Sequence, residues 1–278
     1  NASFIDDIAP VSTADNQPPE PLTPIMTHNL AQRYINTMVP IQFSCRSCRY
    51  NKINLGQVDV VLSKNNVNQL TLNSFTSKRD GTELSFSGEW LLQNSDHRTR
   101  IAGSYKTKDL ETEMRLLGYD SIIRDSGLVV NFDTFWQGAP SDFALARLNG
   151  ALDTRLDDGY LADVSDKGVR LLSVLSLRSL VRKLSLDFRD IFSKGMFYDE
   201  IKGDFTLQSG VLYTENLAMD GTAGDLSMQG NTDLAEGLLD YRMSFVPNVT
   251  SSLPVIVAWM TANPVIGLAA LAVDGVIQ

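Results

Sequence analysis

Leu128-Val-Val-Asn-Phe-Asp-Thr-Phe-Trp136 decides the fold, because Leu128, Val130, Phe132 and Trp136 alternate with Val129, Asn131, Asp133 and Phe135. A period of two puts the first set on one side of a pleated strand and the second on the other, which a helix cannot do. Upstream, Val58, Val60 and Leu62 alternate with Asp59 and Val61, and Leu84, Phe86 and Trp90 with Ser85, Ser87 and Glu89. Downstream the pattern returns in Phe205 and Leu207, Val211 and Tyr213, Leu217 and Met219, Leu226 and Met228, and Tyr241, Met243 and Phe245. Asp80-Gly81, Ser126-Gly127 and Asp158-Gly159 supply turns between these runs, as an antiparallel meander requires. Glu83-Leu-Ser-Phe-Ser-Gly88 and Asp225-Leu-Ser-Met-Gln-Gly230 share an acid-Leu-Ser-apolar-x-Gly plan, a two-copy internal repeat. The predicted class is mainly β, an antiparallel sheet with a few short helices at its edges and ends. Alternation alone does not say whether the apolar face is closed by a second sheet or left as a trough.

Three segments depart from this period. Leu110, Met114 and Leu117 stand at helical intervals, with Asp109 as N-cap and Gly118 as the residue after the last turn, which predicts a short helix covering the sheet near 109–118. Leu177, Leu180, Val181 and Leu184 make one helical stripe, locally basic through Arg170, Arg178, Arg182, Lys183 and Arg189. Its basic face is open to two readings: a solvated surface paired with Asp187 and Asp190, or contact with anionic headgroups. Leu253 to Val273 carries no charge, but Pro254, Asn263, Pro264 and Gly267 break it into two apolar pieces. That segment is expected to cap the sheet or touch a membrane through 253–277 rather than cross one.

The domain reading follows. Residues 1–24, with Pro10, Pro18, Pro19, Pro21 and Pro24 among polar residues, form a disordered linker or leader. Residues 25–166 form a first β section, 167–200 an amphipathic helical junction, 201–250 a second β section, and 251–278 an apolar helical hairpin or cap. The polar start and the apolar stop read as those of a fragment of a longer protein.

Composition narrows function by exclusion. With 43% hydrophobic and 21% charged residues the chain is ordinary for a folded protein, and its net charge of −9 repels phosphate backbones, so no nucleic-acid partner is expected. Catalysis is not expected either: the chain has no Gly-x-Ser-x-Gly elbow or phosphate loop, and Asp157-Asp158 beside Gly159 reads as a solvated turn. His28 and His97 have no companions at metal spacing, so neither a metal nor another cofactor is expected. Cys45 and Cys48 are the only cysteines; strand-like flanks suit a turn disulfide better than a redox site, with free thiols as the other reading.

Arg170-Leu-Leu-Ser-Val-Leu-Ser-Leu-Arg-Ser-Leu-Val-Arg-Lys-Leu-Ser-Leu-Asp-Phe-Arg-Asp-Ile-Phe192, followed by the strand ladder from Lys202 to Val246 and then by Asn263-Pro-Val-Ile-Gly-Leu-Ala-Ala-Leu271, resembles the AsmA-like family of Gram-negative envelope lipid-transport proteins. The resemblance covers about Asp109 to Gln278 and is strongest from Gly168 to Gly230. It implies an elongated, strongly curved sheet whose concave side is a greasy groove. It also implies a periplasmic, inner-membrane-anchored bridge conducting phospholipids toward the outer membrane; the alternative is a non-enzymatic envelope scaffold with a closed core. An oxidising periplasm would join Cys45 to Cys48. Lipid contacts are then expected at Leu84, Phe86, Val130, Phe132, Phe205, Leu207, Leu217, Met219, Leu226, Met228, Tyr241, Met243 and Phe245. A trough has a clear physical use: at about 0.8 kcal/mol per exposed CH₂, two sixteen-carbon chains in water cost on the order of 20 kcal/mol or more.

Overall fold

The computed structural model describes residues 6–7, 25–50, 53–93, 96–118, 121–162 and 195–248. The stripe at Leu177–Leu184 and the apolar segment 251–278 lie outside the described residues. Strands are β1 (Asp6–Asp7), β2 (Ile41–Tyr50), β3 (Ile53–Asn66), β4 (Gln69–Arg79), β5 (Thr82–Gln93), β6 (Asp96–Thr107) and β7 (Ile123–Arg124). They continue as β8 (Leu128–Gln137), β9 (Asn149–Leu156), β10 (Gly159–Leu161), β11 (Met196–Gln208), β12 (Val211–Gly221), β13 (Gly224–Asp233) and β14 (Leu238–Pro247). All belong to one antiparallel sheet ordered β1-β14-β13-β12-β11-β9-β8-β6-β5-β4-β3-β2, with β7 and β10 as a side branch. The sheet is open: it runs out to β2 on one side and to β14 with β1 on the other.

Local chemistry sets the hairpins. Asp80 and Gly81 adopt φ of 38° and 81°, the left-handed pair whose twist matches the flanking strands, so β4 returns as β5 through a two-residue turn. Of the expected helical junction over 167–200 only the end from 195 lies among the described residues; there β11 begins at Met196 and pairs with β9, so the two β sections belong to one sheet. The 109–118 helix is α2 (Leu110–Leu116): the Asp109 carboxylate accepts from the Thr112 amide at 2.9 Å, and Gly118 turns off at φ 87°.

Three features differ from the sequence expectation. A helix at α1 (His28–Thr37), outside the three regions expected to be helical, lies over one end of the strands. Its cap residue Thr27 makes no side-chain bond and only Ala31 and Ile35 are buried, so tertiary packing rather than local signal holds it. On β12, Tyr213 is 43% exposed; it is Leu212 and Thr214 that share the face of Leu217 and Met219. A bulge between Thr214 and Leu217 changes the parity there, which an unbroken alternation through Val211 and Tyr213 misses. Cys45 and Cys48 are bridged, with Cα atoms 5.8 Å apart, inside β2 across a bulge rather than at the turn between strands.

The two ends of the strands are tied down differently. At one, Ala31 and Ile35 pack on Leu70, Trp90, Leu92 and Ala139. There His97 Nδ1 accepts from Trp90 Nε1 at 3.1 Å, so its Nε2–H donates to the Met26 carbonyl at 2.6 Å, while the Met26 amide donates to Asp142 at 3.0 Å. At the other end α2 inserts Glu113, buried, to accept from Arg79 at 2.5 Å, Thr82 at 2.9 Å and Tyr105 at 2.9 Å. A buried carboxylate is tolerable only when its oxygens are so occupied.

Candidate functional site

Register aligns the inward residues of successive strands into rows running across the sheet. The central row is Phe43, Val60, Phe75, Phe86, Gly103, Phe132, Leu152 and Phe205, each the Cα partner of the next, on β2, β3, β4, β5, β6, β8, β9 and β11. At about 4.8 Å per strand its seven steps span on the order of 34 Å. Phe75 and Phe86 stack with centroids 4.7 Å apart, and Phe86 meets Phe132 at 6.4 Å across the intervening strand. Gly103 occupies that strand: a Cβ there would lie 2.1 Å from the Ser85 carbonyl oxygen and 2.5 Å from Phe86 Cβ. Only glycine lets the strands approach so closely and the two rings meet over it.

Parallel rows widen this strip. Ile41, Leu62 and Leu72 lie to one side, and Leu84, Tyr105 and Val130 to the other. Most of these side chains are only partly buried, and at the β2 margin Ile41 and Phe43 are 41% and 48% exposed. The result is a floor of apolar groups that the described residues cover only in part. The charged residues Lys64 and Arg79 share this face but stand at its two ends, Lys64 donating to the Asn36 carbonyl at 2.9 Å and Arg79 paired with Glu113. The reverse face is polar: Arg100 pairs with Asp133, Asn131 donates to Asp153 at 2.8 Å, and Ser44 to Asp59 at 2.5 Å. The Arg100 hydrogen bond holds the Asp133 carboxyl below its usual range.

The thirteen residues predicted to contact lipid all lie on the floor side, but they divide. Leu84, Phe86, Val130, Phe132, Phe205, Leu217 and Met228 are partly buried. Leu207, Met219, Leu226, Tyr241, Met243 and Phe245 are 7% exposed or less. Met219, Leu226, Tyr241, Met243 and Phe245 share one cluster with Leu156, Met196, Tyr198 and Leu110 of α2. Burial raises the phenol pKa of Tyr198 and of Tyr241 there. Sequence reasoning missed Phe43, Phe75 and Leu152, although Phe75 stands between Leu70-Thr-Leu72 and Asp80-Gly81, where a strand facing Phe86 was legible.

An open antiparallel sheet with one polar face and one apolar, partly uncovered face is the class of protein defined by this fold. The chain belongs to the YhdP family: the family model described as YhdP protein matches residues 4–278, well beyond the stretch that carried the resemblance. It is 28% identical over 237 residues to the intermembrane phospholipid transporter YhdP of Escherichia coli strain K12, covering 85% of this chain and 19% of that protein. The chain thus spans about a fifth of the length of the curated relative it matches. No solved structure matches it.

Proposed function

We propose that this chain is a segment of a periplasmic bridge on whose apolar floor phospholipid acyl chains move between inner and outer membranes, as part of a longer, inner-membrane-anchored protein. The carrying observation is the aligned row from Phe43 to Phe205, apolar over eight strands and only partly covered. A bilayer's hydrocarbon core is about 30 Å thick and made of two leaflets, so one acyl chain reaches roughly 15 Å. A row of on the order of 34 Å exceeds that twofold, which suits a track better than a pocket for one chain. Bulges in β2, β3, β4 and β12 would bend the strands around such cargo. The chemistry asked of the protein is burial of CH₂ groups, with no bond made or broken. The similarity to a phospholipid transporter supports the lipid class.

Native mass spectrometry of detergent-free protein tests this. Phospholipid should copurify with the wild type and be lost from Phe86→Asp and Phe132→Asp, both folded. Folded protein that never carries lipid would overturn the proposal. A second reading, a scaffold with a closed core, is favoured by the burial of Met219, Leu226, Tyr241, Met243 and Phe245. It expects lipid-free protein and no effect of either variant on envelope lipid traffic.

A further inference from the structure

Helix α1 has two apolar stripes, of which packing uses one. Ala31 and Ile35 are fully buried on the sheet, whereas Leu30, Tyr34 and Met38, the last at its C-cap, are 42%, 47% and 36% exposed at i, i+4 and i+8. The helix orientation is fixed by its polar side. Gln32 donates to the Val67 carbonyl at 2.5 Å in the β3–β4 turn, and the neighbouring Asn36 carbonyl accepts from Lys64. At 100° per residue, Leu30 and Tyr34 point roughly opposite to Gln32 and Asn36. With Gln32 turned to the β3–β4 turn and Ala31 and Ile35 turned to the sheet, the second stripe is left exposed on the side of the helix away from that turn.

We propose that α1 is a fixed side wall of the acyl site, and that Leu30, Tyr34 and Met38 contact the chain lying on Phe43, Leu62 and Phe75. This rests on the lipid reading of the floor. Three observations argue for an acyl chain as occupant. The stripe carries no charge, the chain runs on from Met38 at its end through Ile41 into Phe43, and Ile41 and Phe43 are 41% and 48% exposed at the β2 margin of the floor. The helix is pinned at both ends, by Met26 between His97 and Asp142 and by Asn36 on Lys64, so it acts as a wall. Arg33, on the side turned away from the sheet, supplies the control.

A photoreactive phenylalanine analogue placed singly at Leu30, Tyr34, Arg33 or Phe132 of the full-length protein, in cells fed radioactive inorganic phosphate, reads out lipid contact as light-dependent label on the protein. Label at Leu30, Tyr34 and Phe132 with none above background at Arg33 is the expected result. Label at Phe132 alone overturns the wall while leaving the floor as the lipid site. No label anywhere overturns the lipid reading itself, and equal label at Arg33 shows unspecific contact and overturns the wall. Tyr34→Asp supplies an independent check: because Tyr34 is exposed, the variant should keep the wild-type unfolding midpoint yet lose label at Phe132. Retained label there in a folded variant counts against the wall.

Discussion

The floor between β2 and β9 and the cluster of β11–β14 are written in the same two-residue alternation, yet one is left partly open and the other is sealed. Phe43 keeps 48% of its surface accessible, while Met219 and Phe245 keep 2% and 6%. Among the described residues, the difference comes from what is laid over each. Leu110 and Met114 of α2, Ile123 of β7 and Leu161 of β10 pack on the second cluster, whereas α1 covers only the strand-end row of Leu70 and Trp90. An apolar strand face therefore states a need for burial without stating the partner. In this sheet protein atoms meet the need on one side, and on the other we assign it to lipid.

The largest effect that separates the two regions should come from charge. Met219→Asp puts a carboxylate where nothing can pair with it, a cost of several kcal/mol against a total stability of about 5–15 kcal/mol, and the protein should unfold or fail to accumulate. Phe132→Asp can reach water from the floor, so circular dichroism should remain that of a β protein while bound phospholipid disappears. Equal unfolding by both variants would erase the distinction between the regions.

Truncation should sharpen the same contrast. Phe245→Ala leaves a cavity in the sealed cluster and should cost about 3–5 kcal/mol in urea unfolding. Phe86→Ala removes a ring already partly accessible and should cost roughly 1–2 kcal/mol. Reversal of this order would mean that the floor, not the β11–β14 cluster, is the core.

Alkaline titration addresses the tyrosines in both regions. Burial raises the phenol pKa of Tyr198 and Tyr241 in the sealed cluster, and burial with the Glu113 hydrogen bond raises that of Tyr105 beneath α2. Folded values above the ordinary 10.0 mean that the native state holds these protons more tightly than the unfolded chain. Their contribution is therefore complete below pH 10 and is lost as pH rises beyond it. Unfolding midpoints should fall above about pH 10, and Tyr105→Phe should flatten part of that fall. A profile unchanged by Tyr105→Phe would remove this phenol from the account.

How much of this was legible before the structure depends on the kind of signal. Alternation at Leu128–Trp136, the Asp80-Gly81 turn and the Asp109 cap each act locally, so a short window of sequence contains them. The bulge at Thr214–Leu217 does not, since one extra residue changes the face without breaking the apolar count, and Tyr213 looks inward until Asn231 is known to be its partner. Helix α1 was missed because its stability lies in Trp90, Leu92 and Ala139, which are distant in sequence. The division of thirteen similar apolar positions into floor and sealed cluster was equally invisible, because cover is supplied by other elements. Family resemblance supplied the lipid, and the alternation supplied the surface for it.

The smallest effect belongs to the face that neither region uses. Arg100 and Asp133 pair across β6 and β8 with side chains 50% and 48% exposed, so solvent screens the attraction and ordering two side chains offsets it. Arg100→Ala should change stability by less than about 1 kcal/mol. The paired guanidinium lowers the Asp133 pKa, so the small contribution is present above the ordinary carboxylate range and lost as pH falls through it; the variant and wild type should converge in acid. Bound phospholipid should be unchanged, because the pair lies on the side of the sheet away from Phe86 and Phe132. Loss of lipid in a folded Arg100→Ala protein would place a functional surface on the polar face, and the contrast between open floor and sealed cluster would no longer account for where lipid is handled.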